Sequence, residues 1–155
     1  MSKIITAGNP LLKETAQPVT VFDKNLKFLL ENMKKTLYEA NGVGLAAPQI
    51  AVSKRIFVAD DGVSGYDEYI NPVWTPVGDA KDIDVEGCLS VPDLYGEVER
   101  YKEVLIKYQD RHGKKRQKKA SGLLARCIQH ETDHLNGILF IEKAVSLHKG
   151  KDADE

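Results

Sequence analysis

The chain has 155 residues, 42% of them hydrophobic and 29% charged, with a formal net charge of −1, which is ordinary for one soluble globular domain. No stretch approaches the ~20 apolar residues of a membrane span, and MSKIITAGNP at the start resembles neither a signal sequence nor an Arg-rich transit segment, so a cytoplasmic setting is expected. The near-zero charge supplies no global field for a strongly charged partner, and the two cysteines, Cys88 and Cys127, are expected to stay reduced and available.

In chain order, Asn9-Pro10 reads as an N-cap followed by proline in the first helical turn, opening a short turn of helix to about Glu14. Asp23 then caps an amphipathic helix in which Leu26, Leu29, Leu30, Met33 and Leu37 recur at helical spacing, with Asn41-Gly42 as its stop. Arg55 to Ala59 and Tyr69-Ile70 read as strands separated by the turn-rich run Asp60 to Gly65. Pro72, Pro76, Gly78 and Gly87 punctuate the next stretch, predicting loops and short strands. Val104, Ile106 and Tyr108 alternate with polar residues. A turn over Asp110 to Gly113 and a polar strand over Lys114 to Ala120 complete a hairpin. Ser121 caps a last helix reaching Asn136, with Gly137 as its stop. The order predicts an α+β fold, with antiparallel β-sheets packed around the C-terminal helix. Residues 1–148 form a single domain in this reading, and 149–155 a polar, frayed tail.

The last helix carries His130-Glu131-Thr132-Asp133-His134. Side chains four apart on a helix lie roughly 40° apart in azimuth, with Cβ atoms about 5–6 Å apart, so both imidazoles can reach one ion while Glu131 stands beside it as a proton carrier. A third ligand is needed. One zinc-protease pattern continues HExxH through xxGxxH. Gly137 matches that spacing, but Phe140 occupies the third histidine's place and cannot coordinate a metal. Glu142 and Glu155 are the only glutamates after His134, and Glu142 reads as a solvated surface residue. Upstream, Cys88 lies in Glu86-Gly87-Cys88-Leu89-Ser90, where Gly87 allows backbone to approach a substrate closely. A thiolate beside two imidazoles makes a soft three-ligand site with an open fourth position.

GVGLAAPQ at Gly42 to Gln49, EGCLS at Glu86 to Ser90 and QHETDHLNG at Gln129 to Gly137 resemble the three signature motifs of the peptide deformylases, in that family's order and over most of the chain. The resemblance implies a metal-dependent hydrolase that removes the N-formyl group from formylmethionine at the start of nascent polypeptides, releasing formate. Cys88, His130 and His134 would bind one divalent ion, natively Fe2+, with Zn2+, Ni2+ or Co2+ able to substitute. Glu131 would pass the proton, while Gln49 and the backbone N–H of Leu89 would stabilise the developing oxyanion. Gly42 and Gly44 would let the peptide lie against the chain as an added strand. Val43, Leu123 and Cys127 are candidates for the methionine pocket, although core packing explains Leu123 and Cys127 equally well.

Some members of the family dock on the ribosome through an added C-terminal helix, which is not expected from KGKDADE after His148. The cluster Lys114, Lys115, Arg116, Lys118 and Lys119 offers a transient electrostatic contact instead, against the plainer reading of a solvated hairpin. Arg100, Arg126 and Asp133 are candidates for ion pairs that stiffen the site. His112 and His148 read as surface residues. A monomer is expected. The rival readings are a metal-dependent endopeptidase, which would not need Cys88, and a catalytically silent binding protein, against which Glu131, Gln49 and Cys88 all argue.

Overall fold

A computed structural model describes residues 2–149. Helix α1 (Lys24–Glu39) is followed by strands β1 (Gly44–Ala46), β2 (Ile56–Asp60), β3 (Tyr66–Pro76), β4 (Lys81–Cys88), β5 (Val91–Tyr101), β6 (Glu103–Gln109) and β7 (Lys115–Ser121). Helix α2 (Gly122–Leu135) and strand β8 (Ser146–Lys149) complete it, and single 3-10 turns occupy Pro10–Lys13, Ala47–Ile50 and Phe140–Glu142. Every strand pairing is antiparallel, in a five-stranded sheet of order β1-β2-β3-β6-β7 and a three-stranded sheet of order β4-β5-β8. The α+β architecture expected from the sequence is the one observed.

The five-stranded sheet lies between the helices, and strand alternation sorts its side chains. Ile56, Val58 and Ile70 point towards Leu26, Leu30, Met33 and Leu37 of α1. Phe57, Ala59, Tyr69, Val104, Ile106, Tyr108 and Ala120 pack on the other face against Leu124, Ala125 and Ile128 of α2. Helix α2 is thus enclosed, with Leu124 to Leu135 all buried despite the charges among them. The second sheet approaches α2 from the other side, where Val91 and Val98 meet Leu139 and Phe140.

Two of the three expected helix caps form their hydrogen bonds. Asn9 Oδ1 accepts from the Leu11 N–H at 3.0 Å and Asp23 Oδ1 from the Leu26 N–H at 3.1 Å. Ser121 stands at the N-cap of α2, but its hydroxyl makes no capping bond. At the far end of α2 Gly137 has φ +74°, and a Cβ there would run into the Lys13 carbonyl. Gly137→Ala is expected to destabilise the protein by more than about 1 kcal/mol, read as a lower urea midpoint with unchanged slope.

Residues 72–87 depart from the expected loops and short strands. Tyr66–Pro76 is one continuous strand with an irregularity between Ile70 and Val73, where Asn71 adopts φ 51°. The Asn71 side chain bridges this bulge, exchanging hydrogen bonds with the Val19 backbone at 2.8 and 2.9 Å. Proline is tolerated at such a bulge because the ladder is already interrupted. Strand β4 alternates apolar and acidic residues over Asp82-Ile83-Asp84-Val85-Glu86, but it is an edge whose first five residues are all exposed, so its apolar side chains pack on no core; its pairing with β5 holds it. Lys149, assigned to the tail on sequence, pairs with Leu94 in β8, and the rest of that tail lies outside the described residues.

Candidate metal centre

Three elements converge beside α2. Strand β4 ends at Cys88, where its register with β5 shifts between Gly87 and Cys88 and the chain turns towards the helix. The second half of α2 presents His130 and His134. Strand β1 and the 3-10 turn after it bring Gly44 and Gln49 to the opposite wall.

The ligand atoms of Cys88, His130 and His134 all lie within 4.8 Å of one another. Cys88 Sγ is 3.2 Å from His134 Nε2, and the two imidazole rings stand 5.1 Å apart, edge to face at 62°. His130 Nδ1 lies 2.9 Å from Glu86 Oε1. A proton held on Nδ1 by that carboxylate leaves the Nε2 lone pair free for an ion. Phe140, in the place where a protease would have its third histidine, instead stacks on His130 with ring centroids 6.0 Å apart.

The donor chemistry fits a divalent transition-metal ion. It combines one half-buried sulfur and two buried imidazole nitrogens, all converging within 4.8 Å. Glu131 Oε1 is buried without a hydrogen-bond partner, and its Oε2 is 4.0 Å from His130 Nε2. Burial and the nearby Glu86 charge push the Glu131 carboxyl up to about 7, against the pull of His130. Such a group can both accept and return a proton near neutrality. Burial drives His134 well below the ordinary histidine range. Burial opposes a charge on His130 too, but the Cys88 sulfur and the Glu86 carboxylate outweigh it and push the imidazolium pKa up to about 10, so an ion would take Nε2 by displacing its proton.

Glu86 is the hub of a buried ion network to which the sequence reading assigned no role. Its two oxygens accept from Arg100 Nε and Nη2, both at 2.9 Å, and from Arg126 Nη1 at 2.7 Å, besides facing His130. Burial alone would keep Glu86 neutral, yet hydrogen bonds from Arg100 and His130 hold it well below the usual carboxylate range. Arg100 Nη1 donates on to Asp133 at 2.7 Å. The expected ion pairs of Arg100, Arg126 and Asp133 therefore form, tying the strand that carries Cys88 to the helix that carries both histidines. Arg55 closes the end of α2, donating to the Leu135 carbonyl at 2.9 Å and to Asn136 Oδ1 at 3.0 Å. Glu142 stays partly exposed and pairs with Lys13.

A cavity of about 490 Å³ opens beside this cluster. Gly42, Val43, Gly44 and Gln49 form one side, Gly87, Cys88 and Leu89 the other, and Leu123, Cys127, His130 and Glu131 the helix wall. Leu123 is half exposed and lines the cavity rather than the core, whereas Cys127 does both, being buried with its sulfur against Gly44. The Gln49 amide is fully oriented. Its Oε1 accepts from the Ala46 N–H at 2.9 Å, and its Nε2 donates to Ser90 Oγ at 3.1 Å and faces Cys88 Sγ at 3.6 Å. A Cβ on Gly44 would lie 2.6 Å from Cys127 Sγ and 2.7 Å from Glu131 Oε2. Gly44→Ala is therefore expected to displace Glu131 and lower kcat/KM about 10²-fold, measured by formate release beside a folding control by circular dichroism.

A soft three-ligand cluster, a buried carboxylate of raised pKa and a peptide-sized cavity on this α+β frame are the equipment of a metal-dependent hydrolase. The sequence pattern of the polypeptide deformylases matches residues 1–150. The peptide deformylase of Carboxydothermus hydrogenoformans is 54% identical over 151 residues, covering 96% of this chain and 97% of its own. The crystal structure of the Thermotoga maritima peptide deformylase superposes with a TM-score of 0.91 at 43% identity, covering 94% of this chain and 99% of that one. A Synechococcus elongatus peptide deformylase, solved in complex with actinonin, gives 0.89 at 38% identity, with 94% and 79% covered. The chain belongs to the polypeptide deformylase family.

Proposed function

We propose that this chain removes the formyl group from N-terminal formylmethionine of nascent polypeptides in the cytoplasm, acting as a monomer with a transient ribosome contact. The observation that carries the reading is the convergence of Cys88, His130 and His134 beside Glu131 at the wall of the cavity. Cys88, His130 and His134 would hold one divalent ion, ferrous iron by family resemblance, with zinc, nickel or cobalt able to replace it. When bound, the ion supplies Lewis acidity towards water and the formyl carbonyl.

The chain's own residues supply the rest. Glu131 takes a proton from the attacking water and delivers it to the methionine nitrogen as the C–N bond breaks, leaving formate and a free amine. The Gln49 amide and the Leu89 N–H meet the negative charge that develops on the formyl oxygen; one such preorganised donor is worth about 2.7–4 kcal/mol in the transition state. Gly42 and Gly44 give the peptide backbone room to approach, with Gly87 facing it across the cavity. Val43, Leu123 and Cys127 offer apolar surface for the methionine side chain.

The test is formate release from a formyl-Met peptide under anaerobic conditions, with wild type beside Cys88→Ala. We expect robust release by the metal-loaded wild type, and loss of both bound metal and activity in the variant. Cleavage of internal peptide bonds without formate release would overturn the assignment in favour of a peptidase.

A further inference from the structure

The net charge of −1 is unevenly spread, and one face of the five-stranded sheet is rich in lysine. Helix α1 covers one face of the five-stranded sheet only over its first strands, where Ile56, Val58 and Ile70 meet the helix. Ile70 pairs with Gln109, Val73 with Lys107, Gln109 with Lys115 and Leu105 with Lys119, so these residues share that face. Beyond α1 it lies open: Lys107, Lys115, Gln117 and Lys119 are exposed, and Val73 is 63% exposed.

The turn between β6 and β7 joins this open face to the helix. Arg111 donates to Glu31 of α1 at 2.8 Å and to Glu68 at 2.7 and 2.9 Å, and Gly113 lies against the Phe22 ring. One turn before Glu31 on the helix, Phe28 is 79% exposed. Two members of the lysine cluster noted in the sequence are engaged internally, since Arg116 pairs with Asp110 and Lys118 with Asp67. The carboxylates Glu31, Glu68 and Asp110 are thereby satisfied by arginine. Lys24, Lys27, Lys107, Lys114, Lys115 and Lys119 have no carboxylate partner among the described residues. Asp23 caps α1 and Glu103 shares the β6 face, while the exposed acids Asp82, Asp84, Glu97 and Glu99 lie on the β4–β5 hairpin, so lysines outnumber acids on this surface.

We infer that the open face of β6 and β7, with the N-terminal half of α1, is a docking surface for RNA. Unpaired lysines spread over a strand surface suit a phosphate backbone, which they neutralise with release of counterions. Phe28 adds an exposed ring on which an unpaired base can stack, the aromatic that the hairpin cluster lacks in sequence. The topology also separates docking from chemistry. Strand β7 forms one edge of the sheet and β1, which walls the cavity, forms the other, so an RNA on the basic face leaves the cavity open. The inference rests on the proposed action on nascent chains, whose ribosome presents such RNA.

The test uses the metal-loaded protein and a fluorescent ribosomal-RNA hairpin, read by anisotropy from about 50 to 200 mM salt, with acidic phospholipid vesicles and heparin as competing polyanions. Wild type is expected to bind with affinity that falls steeply with salt. Lys107→Glu/Lys115→Glu/Lys119→Glu should weaken binding at least about tenfold and flatten the salt slope, and Phe28→Ala should weaken it with the slope preserved. Formate release from a free formyl-Met peptide should stay unchanged in every variant, so failure of this surface is distinguishable from failure of the proposed activity. No binding at low salt, equal binding by the variants, or binding to vesicles or heparin but not to the hairpin would overturn the inference.

Discussion

Glu131→Gln is expected to lower kcat by about 10²–10⁴-fold, while metal content, measured by elemental analysis, stays at the wild-type level. The side chain is not among the three converging ligand atoms, and the amide keeps its shape. What it loses is the ability to take a proton from water and return it to the leaving amine. Stability is expected to stay equal or rise, because burial already disfavours the Glu131 charge. An inactive, fully loaded variant with an equal or higher Tm would be the signature. Retention of activity within tenfold of wild type would remove Glu131 from the proton path.

Arg100→Met should produce the largest loss of stability. Arg100 makes three hydrogen bonds to two buried carboxylates, Glu86 and Asp133, and is itself only 4% exposed. Removing the cation strands charges that the interior cannot solvate, at a cost of about 3–5 kcal/mol. For a chain of this size that corresponds to a fall in Tm of roughly 10 °C, readable by scanning calorimetry. Glu86 retains Arg126 and His130 in this variant, so a folded population should still bind metal, but more weakly. The double variant Arg100→Met/Glu86→Gln is expected to be less damaged than the two single losses summed, since the charges form one network. Additive losses would show that Arg100 and Glu86 do not act together.

Much of the site was readable before the fold. His130, Glu131 and His134 lie on one helix, whose geometry follows from local spacing, and with Phe140 unable to coordinate a metal the sequence leaves Cys88 as the candidate third ligand. The helices were legible for the same reason: Asp23 and Gly137 act through hydrogen bonds and φ values set within a few residues. Strand β4 is obscured by the Pro72, Pro76, Gly78 and Gly87 punctuation around it, although Ile83 and Val85 alternate with acidic residues; pairing with β5 makes it a strand. The role of Glu86 is not legible in sequence because its partners Arg100, Arg126 and His130 are distant along the chain. Leu123 was ambiguous between core and cavity until its exposure was known.

The amino-acid sequence alone thus determined the chemistry of the centre: two imidazoles and a carboxylate presented together by one helix, and a thiol available to join them. Those properties are short-range, set by residue type and helical periodicity. Only the tertiary structure decided how these groups are held, through a buried carboxylate shared by Arg100, Arg126 and His130. It also decided that Lys107, Lys115 and Lys119 share one open sheet face. Both are long-range pairings, because strand register and buried charge compensation depend on which distant segments meet.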